Sequence, residues 1–447
     1  MSLCARILIA AALLCAATVR AAVPAQPMIG TPEVVLPNGG AAGAVVLFSG
    51  AAGWGDAERG IAGTLAGRGQ IVIGVDLAAT QRRMAANPDA CVTLIGEIEA
   101  VSHQVQREAH TPAYHFPVLA GMQAGGTMAL QVAGQASTAT IADVLAVDPD
   151  PALPGHKPLC SEAPRAAGHD AGSYDLPAGR LPYGVDIRLS AAATSGTRLR
   201  ATGFAGRHAE VRLANDADAA PALALMNGLA ARMPAAGAAG VADLPLVELP
   251  VARPTDTFAV LYSGDGGWRD LDKAVAAILQ RSGLPVVGVD VLRYFWAHRT
   301  AEQGAHDLGR IIDTYRQKWG ASKVVLIGYS FGADVLPALY NRLPAADRAA
   351  VVQMSLLGFA ATADFEVTVA GWLQQHRGDA QPTLPEVRRI DPQRVQCFYG
   401  ADDDEAACAQ IGNGAELIRT TGSHHFDGDY EALARRILHG LQRRNAP

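Results

Sequence analysis

The chain has 447 residues, which is more than one ordinary domain usually holds and favours two domains. Hydrophobic residues make up 49% of it and the formal net charge is −6, so the composition argues against a disordered chain and against a basic, nucleic-acid-binding one. What remains is a globular protein with a sizeable core.

The N-terminus has the pattern of a cleaved secretory signal peptide over residues 1–22. Arg6 precedes an apolar run at residues 7–17, and small residues follow at the expected cleavage site. The run is too short to span a bilayer comfortably as a permanent helix. Leu14 is a poor residue before a lipidated cysteine, so a lipid anchor at Cys15 is disfavoured. A buried N-terminal helix is the other alternative to export.

Export makes the cysteines informative, because an oxidising compartment favours disulfides. Without the signal peptide the chain keeps Cys91, Cys160, Cys397 and Cys408, and four cysteines allow three pairings. The last two bracket the turn at residues 400–404, so a local bridge between them would pin that loop. Four buried free thiols are the alternative.

An internal duplication organises the chain. Residues 46–76 and 260–290 align without gaps, and roughly fourteen of the thirty-one aligned positions are identical. Chance does not produce this within one chain, so the two halves are predicted to be copies of one fold. A stretch rich in Ala, Gly and Pro at residues 233–243 is the expected linker. It separates an N-terminal domain, residues 30–232, from a C-terminal domain, residues 244–447.

In the second copy, short apolar strands alternate with helices. The predicted elements, in chain order, are a strand at 258–262, a helix at 271–280, a strand at 286–289, a helix at 305–318 and a strand at 323–327. Strands that are apolar on both faces and alternate with helices predict a mostly parallel sheet covered by helices.

The last of these strands leads into Gly328-Tyr329-Ser330-Phe331-Gly332, and a helix at 333–341 follows. This is the G-x-S-x-G pattern in the strand–turn–helix setting of a nucleophile elbow. The glycines let strand and helix approach closely around a serine held in a strained turn. Ser330 is therefore the candidate nucleophile. The predicted fold class is α/β, with two tandem α/β-hydrolase-like domains.

In this fold the acid and then the histidine follow the serine along the chain. An apolar strand at 395–399 precedes the turn Gly400-Ala401-Asp402-Asp403-Asp404, so one of three aspartates is the candidate acid. Asp403 is favoured, Asp402 comes next and Asp404 third. At least two of the three must simply face solvent.

The candidate base lies on the loop after the last strand, which is predicted at residues 417–419. That loop contains His424 and His425, and His424 is favoured over His425. A histidine there would accept the serine proton while the aspartate holds its tautomer.

The loop at residues 263–268 is rich in glycine where a backbone would approach a substrate. The N–H groups of Phe331 and Asp265 are the candidate oxyanion donors, although a glycine-rich turn between strand and helix is also ordinary. The candidate substrate contacts are Asp265, Trp268, Tyr329 and Trp296, with the alternative that the two tryptophans belong to the core. Five acids in the predicted site loops could attract a cation, or could cap helices and face solvent: Asp265, Asp270, Asp272, Asp427 and Asp429.

The first copy lacks the nucleophile. The segment at residues 117–126 occupies the elbow position, and Gln123 stands where Ser330 stands in the second copy. Glutamine cannot act as the nucleophile, and no acid–histidine pair is evident before residue 230. We therefore predict a degenerate N-terminal copy that serves binding or structure.

Four segments of the C-terminal half resemble the bacterial virulence protein family represented by AcvB and VirJ. They are YSGDGGWRDLD (262–272), GVDVLRYFW (288–296), GYSFGADVLP (328–337) and GSHHFDGDY (422–430). The two-domain length is more similar to AcvB than to a single-domain member. The resemblance implies a periplasmic protein that hydrolyses lysyl-phosphatidylglycerol at the membrane surface, without a metal or an organic cofactor.

Two other functions remain open at this point. One is a general carboxylesterase or thioesterase that uses the same triad on another substrate. The other is a non-enzymatic periplasmic scaffold with secretion-system proteins as partners, which the virulence association of the family suggests. No nucleic-acid partner is expected.

Overall fold

The computed structural model describes residues 27–137, 139–153, 157–161, 163, 175–230, 241, 243–253, 255–368 and 380–445. The predicted signal peptide, and the predicted linker except for Val241 and Asp243, lie outside the described residues. Within those ranges, none of the helices combines the length and the apolar character of a transmembrane span.

Residues 27–230, the N-terminal domain, contain a sheet of seven described strands, with its first strand antiparallel and the others parallel. The order across the sheet is β1-β3-β2-β4-β5-β6-β7. The strands are β1 (Glu33–Val35), β2 (Gly43–Phe48), β3 (Gln70–Val75), β4 (Val118–Met122), β5 (Asp143–Val147), β6 (Gly184–Ser190) and β7 (Val211–Asp216). The helices are α1 (Asp56–Gly67), α2 (Leu77–Ala86), α3 (Ile95–Glu108), α4 (Ala124–Ala133), α5 (Ser195–Arg207) and α6 (Pro221–Ala230).

Residues 243–445, the C-terminal domain, repeat this arrangement. The strands are β8 (Leu246–Leu249), β9 (Thr257–Tyr262), β10 (Val286–Val289), β11 (Lys323–Tyr329), β12 (Val351–Leu357), β13 (Thr362–Ala363), β14 (Gln381–Pro382), β15 (Val395–Gly400) and β16 (Glu416–Thr420). The helices are α7 (Asp270–Arg281), α8 (Val291–Tyr294), α9 (Ala301–Trp319), α10 (Phe331–Arg342), α11 (Ala345–Ala350), α12 (Leu384–Val387) and α13 (Tyr430–Asn445). The main sheet has the order β8-β10-β9-β11-β12-β15-β16, and β13 pairs with β14 separately.

The two main sheets therefore have the same strand order, from an antiparallel first strand to the seventh. Their packing is also the same at the tryptophan that follows the first parallel strand. A Cβ atom on Gly74 would lie 2.3 Å from the ring of Trp54, and one on Gly288 would lie 2.3 Å from the ring of Trp268. The tandem fold predicted from the duplication is confirmed.

The central strands are buried on both faces because helices cover both sides of the sheet. In β11, Val324 and Leu326 belong to one core cluster, and Val325 and Ile327 belong to the other. Successive side chains of a strand point to opposite faces, so a run of apolar residues is what such a strand needs. Parallel strands all end at one edge, and the loops that follow them meet there.

Candidate active site

Ser330 lies in the turn between β11 and α10, with φ 51° and ψ −120°. This left-handed conformation is strained for a residue with a side chain. The flanking positions must be glycine because neither has room for a side chain. A Cβ atom on Gly328 would lie 2.5 Å from the carbonyl group of Gly332, and one on Gly332 would lie 2.4 Å from the Tyr262 carbonyl oxygen. The elbow predicted from the motif has the required local geometry.

His424 and Asp403 form a hydrogen-bonded pair at the same edge of the sheet. The His424 Nδ1 atom lies 3.0 Å from Asp403 Oδ2, and the Asp403 side chain is 4% exposed. If Nδ1 carries the proton and donates it to the carboxylate, Nε2 is left as an acceptor. The other two aspartates of the turn, Asp402 and Asp404, are exposed. The structure thus pairs Asp403 with His424.

His425 has a different partner. Its Nδ1 atom lies 2.9 Å from the Tyr329 hydroxyl oxygen. Burial raises the pKa of Tyr329 above its ordinary value, so the phenol stays protonated. The Tyr329 ring also lies 5.6 Å from the His424 ring, measured between centroids. Tyr329 therefore packs between the elbow and the histidine loop.

The end of β12 contacts both the elbow and the histidine, a connection that the sequence reasoning missed. The Ser330 N–H donates to the Leu357 carbonyl oxygen at 2.8 Å. The next residue, Gly358, has φ 66°, and a Cβ atom on it would lie 2.7 Å from Cε1 of His424. A glycine directly after an apolar strand was the available signal, but only the fold shows which ring it accommodates.

Two disulfides join the four predicted cysteines. Cys397 pairs with Cys408, and Cys91 pairs with Cys160. The first bridge closes the segment that carries Asp403, as the sequence predicted for a local pairing. It fixes both ends of the loop from which the carboxylate reaches His424.

The loop at residues 263–268 is tied at several points. The Ser263 hydroxyl oxygen accepts from the Val291 N–H at 3.0 Å, and the Asp272 carboxyl group accepts from the Arg269 N–H at 3.4 Å. Burial raises the pKa of Asp265 above its ordinary value. The Asp265 N–H stays a candidate oxyanion donor. Phe331 is the first residue of α10, where an N–H has no partner within the helix.

Two of the predicted substrate contacts are corrected by burial. Trp268 is 5% exposed and covers Gly288, and Trp296 is 2% exposed with its ring against Tyr114 of the N-terminal domain. Both rings are packing residues, so the core alternative applies. Apolar aromatic residues near a site motif do not reveal which face they cover until the fold is known.

The acidic residues at the site also differ from those predicted. Asp272 is buried beneath the loop, and Asp429 accepts from the Ala432 N–H at 3.0 Å, so both have structural partners. Burial raises the pKa of Asp334 well above its ordinary value, and three nearby carboxylates add to the rise: Asp364, Glu405 and Asp265. Asp334 and Asp364 also line a cavity of about 550 Å³ beside α10. The sequence reasoning missed Asp334, Asp364 and Glu405.

The N-terminal copy keeps the elbow without its chemistry. Gln123 has φ 48° and ψ −119°, nearly the same backbone conformation as Ser330. Asp148 occupies the position of Gly358 and accepts hydrogen bonds from the N–H and the hydroxyl group of Ser190. No histidine occurs in the sequence between Glu210 and Ala297, where one would be needed. Within the described ranges, no group of three or more His, Cys, Asp or Glu side chains is placed to hold a metal ion.

Fold and site together define the C-terminal domain as a member of the α/β-hydrolase class. Residues 256–445 match the model of a family described as bacterial virulence protein (VirJ). The matched residues include all four segments that carry the sequence resemblance, and they make up less than half of the chain.

Solved structures with a similar fold include Est1E from Butyrivibrio proteoclasticus, at 11% identity and a TM-score of 0.33, covering 44% of this chain and 90% of that one. XC6422 from Xanthomonas campestris, described as an α/β serine hydrolase without a lid, matches at 18% identity and a TM-score of 0.30, covering 46% and 89%. MenH from S. aureus matches at 14% identity and a TM-score of 0.33, covering 45% and 99%. Similarities this low say nothing about the substrate of this chain. No curated protein matches it.

Proposed function

We propose that the C-terminal domain is a serine esterase that hydrolyses the aminoacyl ester of lysyl-phosphatidylglycerol in the periplasm. The observation that carries the esterase proposal is the 3.0 Å contact between His424 Nδ1 and Asp403 Oδ2, beside a serine in elbow geometry. A serine hydroxyl is a weak nucleophile, and a neighbouring base that an acid holds in position is what activates it.

The reaction would begin with attack of the Ser330 hydroxyl oxygen on the lysyl carbonyl carbon. His424 Nε2 would accept the hydroxyl proton, and the Asp403 carboxylate would stabilise the resulting imidazolium through Nδ1–H. The negative charge would develop on the former carbonyl oxygen, near the N-terminus of α10. The Phe331 N–H, at the first residue of α10, is the donor that we propose would stabilise that charge.

Collapse of this intermediate would break the bond to the lipid glycerol oxygen. His424 would return its proton to that oxygen, which releases phosphatidylglycerol and leaves lysine esterified to Ser330. Water would then attack the same carbonyl with His424 as the base. The products would be free lysine and the restored serine. None of these steps uses a metal or an organic cofactor.

The charge around the site supports a cationic acyl group. The carboxyl group of Asp334 lies close enough to those of Asp265, Asp364 and Glu405 for their charges to raise its pKa. We call these four residues the acidic wall, and its ionised members would raise the local concentration of a cation such as the lysyl ammonium group. This supports a lysyl over a neutral acyl group, whereas the lipid part of the proposal depends on the family resemblance.

The two disulfides support a compartment that is oxidising, because such bonds are rare in a reducing cytosol. We therefore place the substrate at the periplasmic surface of the membrane. Secretion-system partners remain a proposal that depends on the family alone.

The test is ester hydrolysis by the purified protein without its signal peptide, on lysyl- and alanyl-phosphatidylglycerol in detergent and on p-nitrophenyl acetate. Ser330→Ala removes the nucleophile, and Ser322→Ala is the matched control because Ser322 is exposed at the other end of β11. We expect lysine release by wild type and by Ser322→Ala, but not by Ser330→Ala. Hydrolysis of p-nitrophenyl acetate alone would favour the general-esterase alternative. No hydrolysis of any ester would contradict the enzyme proposal and favour the scaffold.

A further inference from the structure

The N-terminal domain contacts the C-terminal domain at the edge of the sheet where the candidate site lies. The contacts come from α3 and from the segment at residues 109–116. They reach residues that directly follow β9 and β10 of the C-terminal sheet, at the carboxyl ends of those strands. The degenerate copy therefore touches the loops that surround Ser330, although it contributes no nucleophile.

Arg269 belongs to the loop between β9 and α7, residues 263–269, which we call the oxyanion loop because it contains the candidate donor Asp265. Its guanidinium group forms an ion pair with Glu99 of α3 and donates to the Ala139 carbonyl oxygen at 3.1 Å. The stem of the same side chain passes 3.9 Å from where a Cβ atom on Gly266 would lie. One residue of the loop is therefore held by two groups of the other domain.

A second set of contacts lies beside it, around Trp296. The Trp296 Nε1–H donates to the Thr111 hydroxyl oxygen at 3.0 Å. The Arg107 guanidinium lies 3.7 Å from the centre of the Trp296 ring and donates to the carbonyl oxygens of Trp296 and Val367. These contacts attach the N-terminal domain to the segment after α8 and to the segment between β13 and β14, but not to the oxyanion loop.

We propose that Arg269 is a positioning residue, and that the N-terminal domain acts on the reaction by holding it through Glu99. The side chains of this ion pair are 28% and 20% exposed, and one such pair adds little to overall stability. The same pair can matter more to the rate, because displacing a group that stabilises the transition state by about 1 Å lowers the rate by roughly a hundredfold. This inference rests on the proposed esterase activity.

The test compares three variants of the protein that contains both domains and lacks residues 1–22. Glu99→Ala removes the partner of Arg269, and Glu99→Gln keeps a hydrogen-bond acceptor at the same place. Thr111→Val is the matched control, since it removes a contact of the same interface that does not reach the oxyanion loop. The substrate is p-nitrophenyl acetate, a small neutral ester that does not depend on the acidic wall.

We expect Glu99→Ala to lower kcat about tenfold with KM changed less than about twofold. Glu99→Gln should recover most of the lost kcat, and Thr111→Val should keep the wild-type kcat. An unchanged kcat in Glu99→Ala, in a protein that Ser330→Ala inactivates, would overturn the inference and leave the esterase proposal standing. An equal loss in Thr111→Val would also overturn it, because the effect would then be general loosening of the interface. A wild-type protein without esterase activity would overturn both.

Discussion

His424 and His425 are neighbours in the chain, but their rings have different hydrogen-bond partners. The first is paired with Asp403 at 3.0 Å and the second with the Tyr329 hydroxyl at 2.9 Å. Only the first therefore has the carboxylate partner that the base of the proposed triad needs. The difference gives a direct comparison between two chemically identical side chains.

We expect His424→Gln to lower kcat for p-nitrophenyl acetate by about a thousandfold or more, because the serine would lose its base. His425→Gln should lower it less than about tenfold, since it removes a bond to Tyr329 but leaves the base in place. The measurement is steady-state kinetics of both variants at one pH. A larger loss in His425→Gln than in His424→Gln would reverse the assignment of the base.

The acidic wall gives a pH prediction. Burial and the neighbouring carboxylates favour the neutral form of Asp334, so its pKa is raised and its negative charge appears only at a pH above the ordinary range for aspartate. The preference for a lysyl ester over a neutral ester should therefore increase as pH rises through that pKa.

The measurement is the ratio of kcat/KM for the two esters as a function of pH. Asp334→Asn should remove the rise in this ratio, because it cannot ionise. Asp313→Asn is the control, since Asp313 is exposed on α9 and should leave the ratio unchanged. The same pH profile in Asp334→Asn and wild type would refute this role for Asp334.

At the scale of elements, the end of β12 positions both the elbow and the His424 ring. Its last carbonyl group accepts from the Ser330 N–H, and Gly358 then leaves room for the His424 ring. Any side chain at Gly358 would meet that ring. The fold contains a well-matched control in Gly320, which has the same φ of 66° and no atom within 4 Å of its Cβ position.

Gly358→Ala and Gly320→Ala should each lower the free energy of unfolding by about 1–2 kcal/mol, because alanine is strained in a left-handed conformation. Only Gly358→Ala should also lose activity, since its methyl group displaces His424. Thermal unfolding and p-nitrophenyl acetate hydrolysis of the two variants check this. Full activity in a folded Gly358→Ala would mean that His424 does not need its present position.

Removal of either disulfide should lower stability, but only removal of the Cys397–Cys408 bridge should lower activity. Replacing both Cys397 and Cys408 by Ser opens a short loop and should lower the free energy of unfolding by about 3 kcal/mol. It should also lower kcat, because that loop carries Asp403. Replacing Cys91 and Cys160 opens a longer loop, for which the same relation gives about 4 kcal/mol, and should leave kcat nearly unchanged. The reverse order of kcat losses would exclude a role for the first bridge in placing Asp403.

Much of the element pattern could be predicted because it depends on local residue order. The strand at Val286–Val289 has the predicted bounds, and the helix at Ala301–Trp319 begins four residues before its predicted start. The capping box at Thr300 and Gln303 sets that earlier start. Contacts between distant segments could not be predicted in this way. The favoured residues Asp403 and His424 do meet, but the exclusion of the alternatives, and what Gly358 accommodates, depend on how loops from different strands meet.

At the scale of the whole molecule, the two copies have similar backbone geometry at the elbow but different side chains. Gln123 and Ser330 share a strained backbone conformation, and both are followed by a helix that packs closely on its strand. In the first copy, Asp148 takes the place of the glycine that makes room for the histidine. The orientation of the two domains could not be predicted from the sequence, since no repeat or motif indicates the contacts of Arg107 and Arg269.

Restoring the serine should not restore the reaction. We expect Gln123→Ser, made in the Ser330→Ala background, to remain inactive because the sequence has no histidine between Glu210 and Ala297, where the base of this copy would lie. The measurement is p-nitrophenyl acetate hydrolysis, with single Ser330→Ala as the baseline. Activity well above that baseline would show that the N-terminal copy retains catalytic groups.

The central claim is that Ser330 is a nucleophile activated by His424, and covalent labelling tests it most directly. The protein is treated with a fluorophosphonate, which reacts with activated serines, and the modified residue is located by peptide mass spectrometry. We predict modification of Ser330 in wild type, a strong reduction in His424→Gln and none at this position in Ser330→Ala. Labelling of a different serine, or no labelling of a folded wild-type protein, would contradict the account.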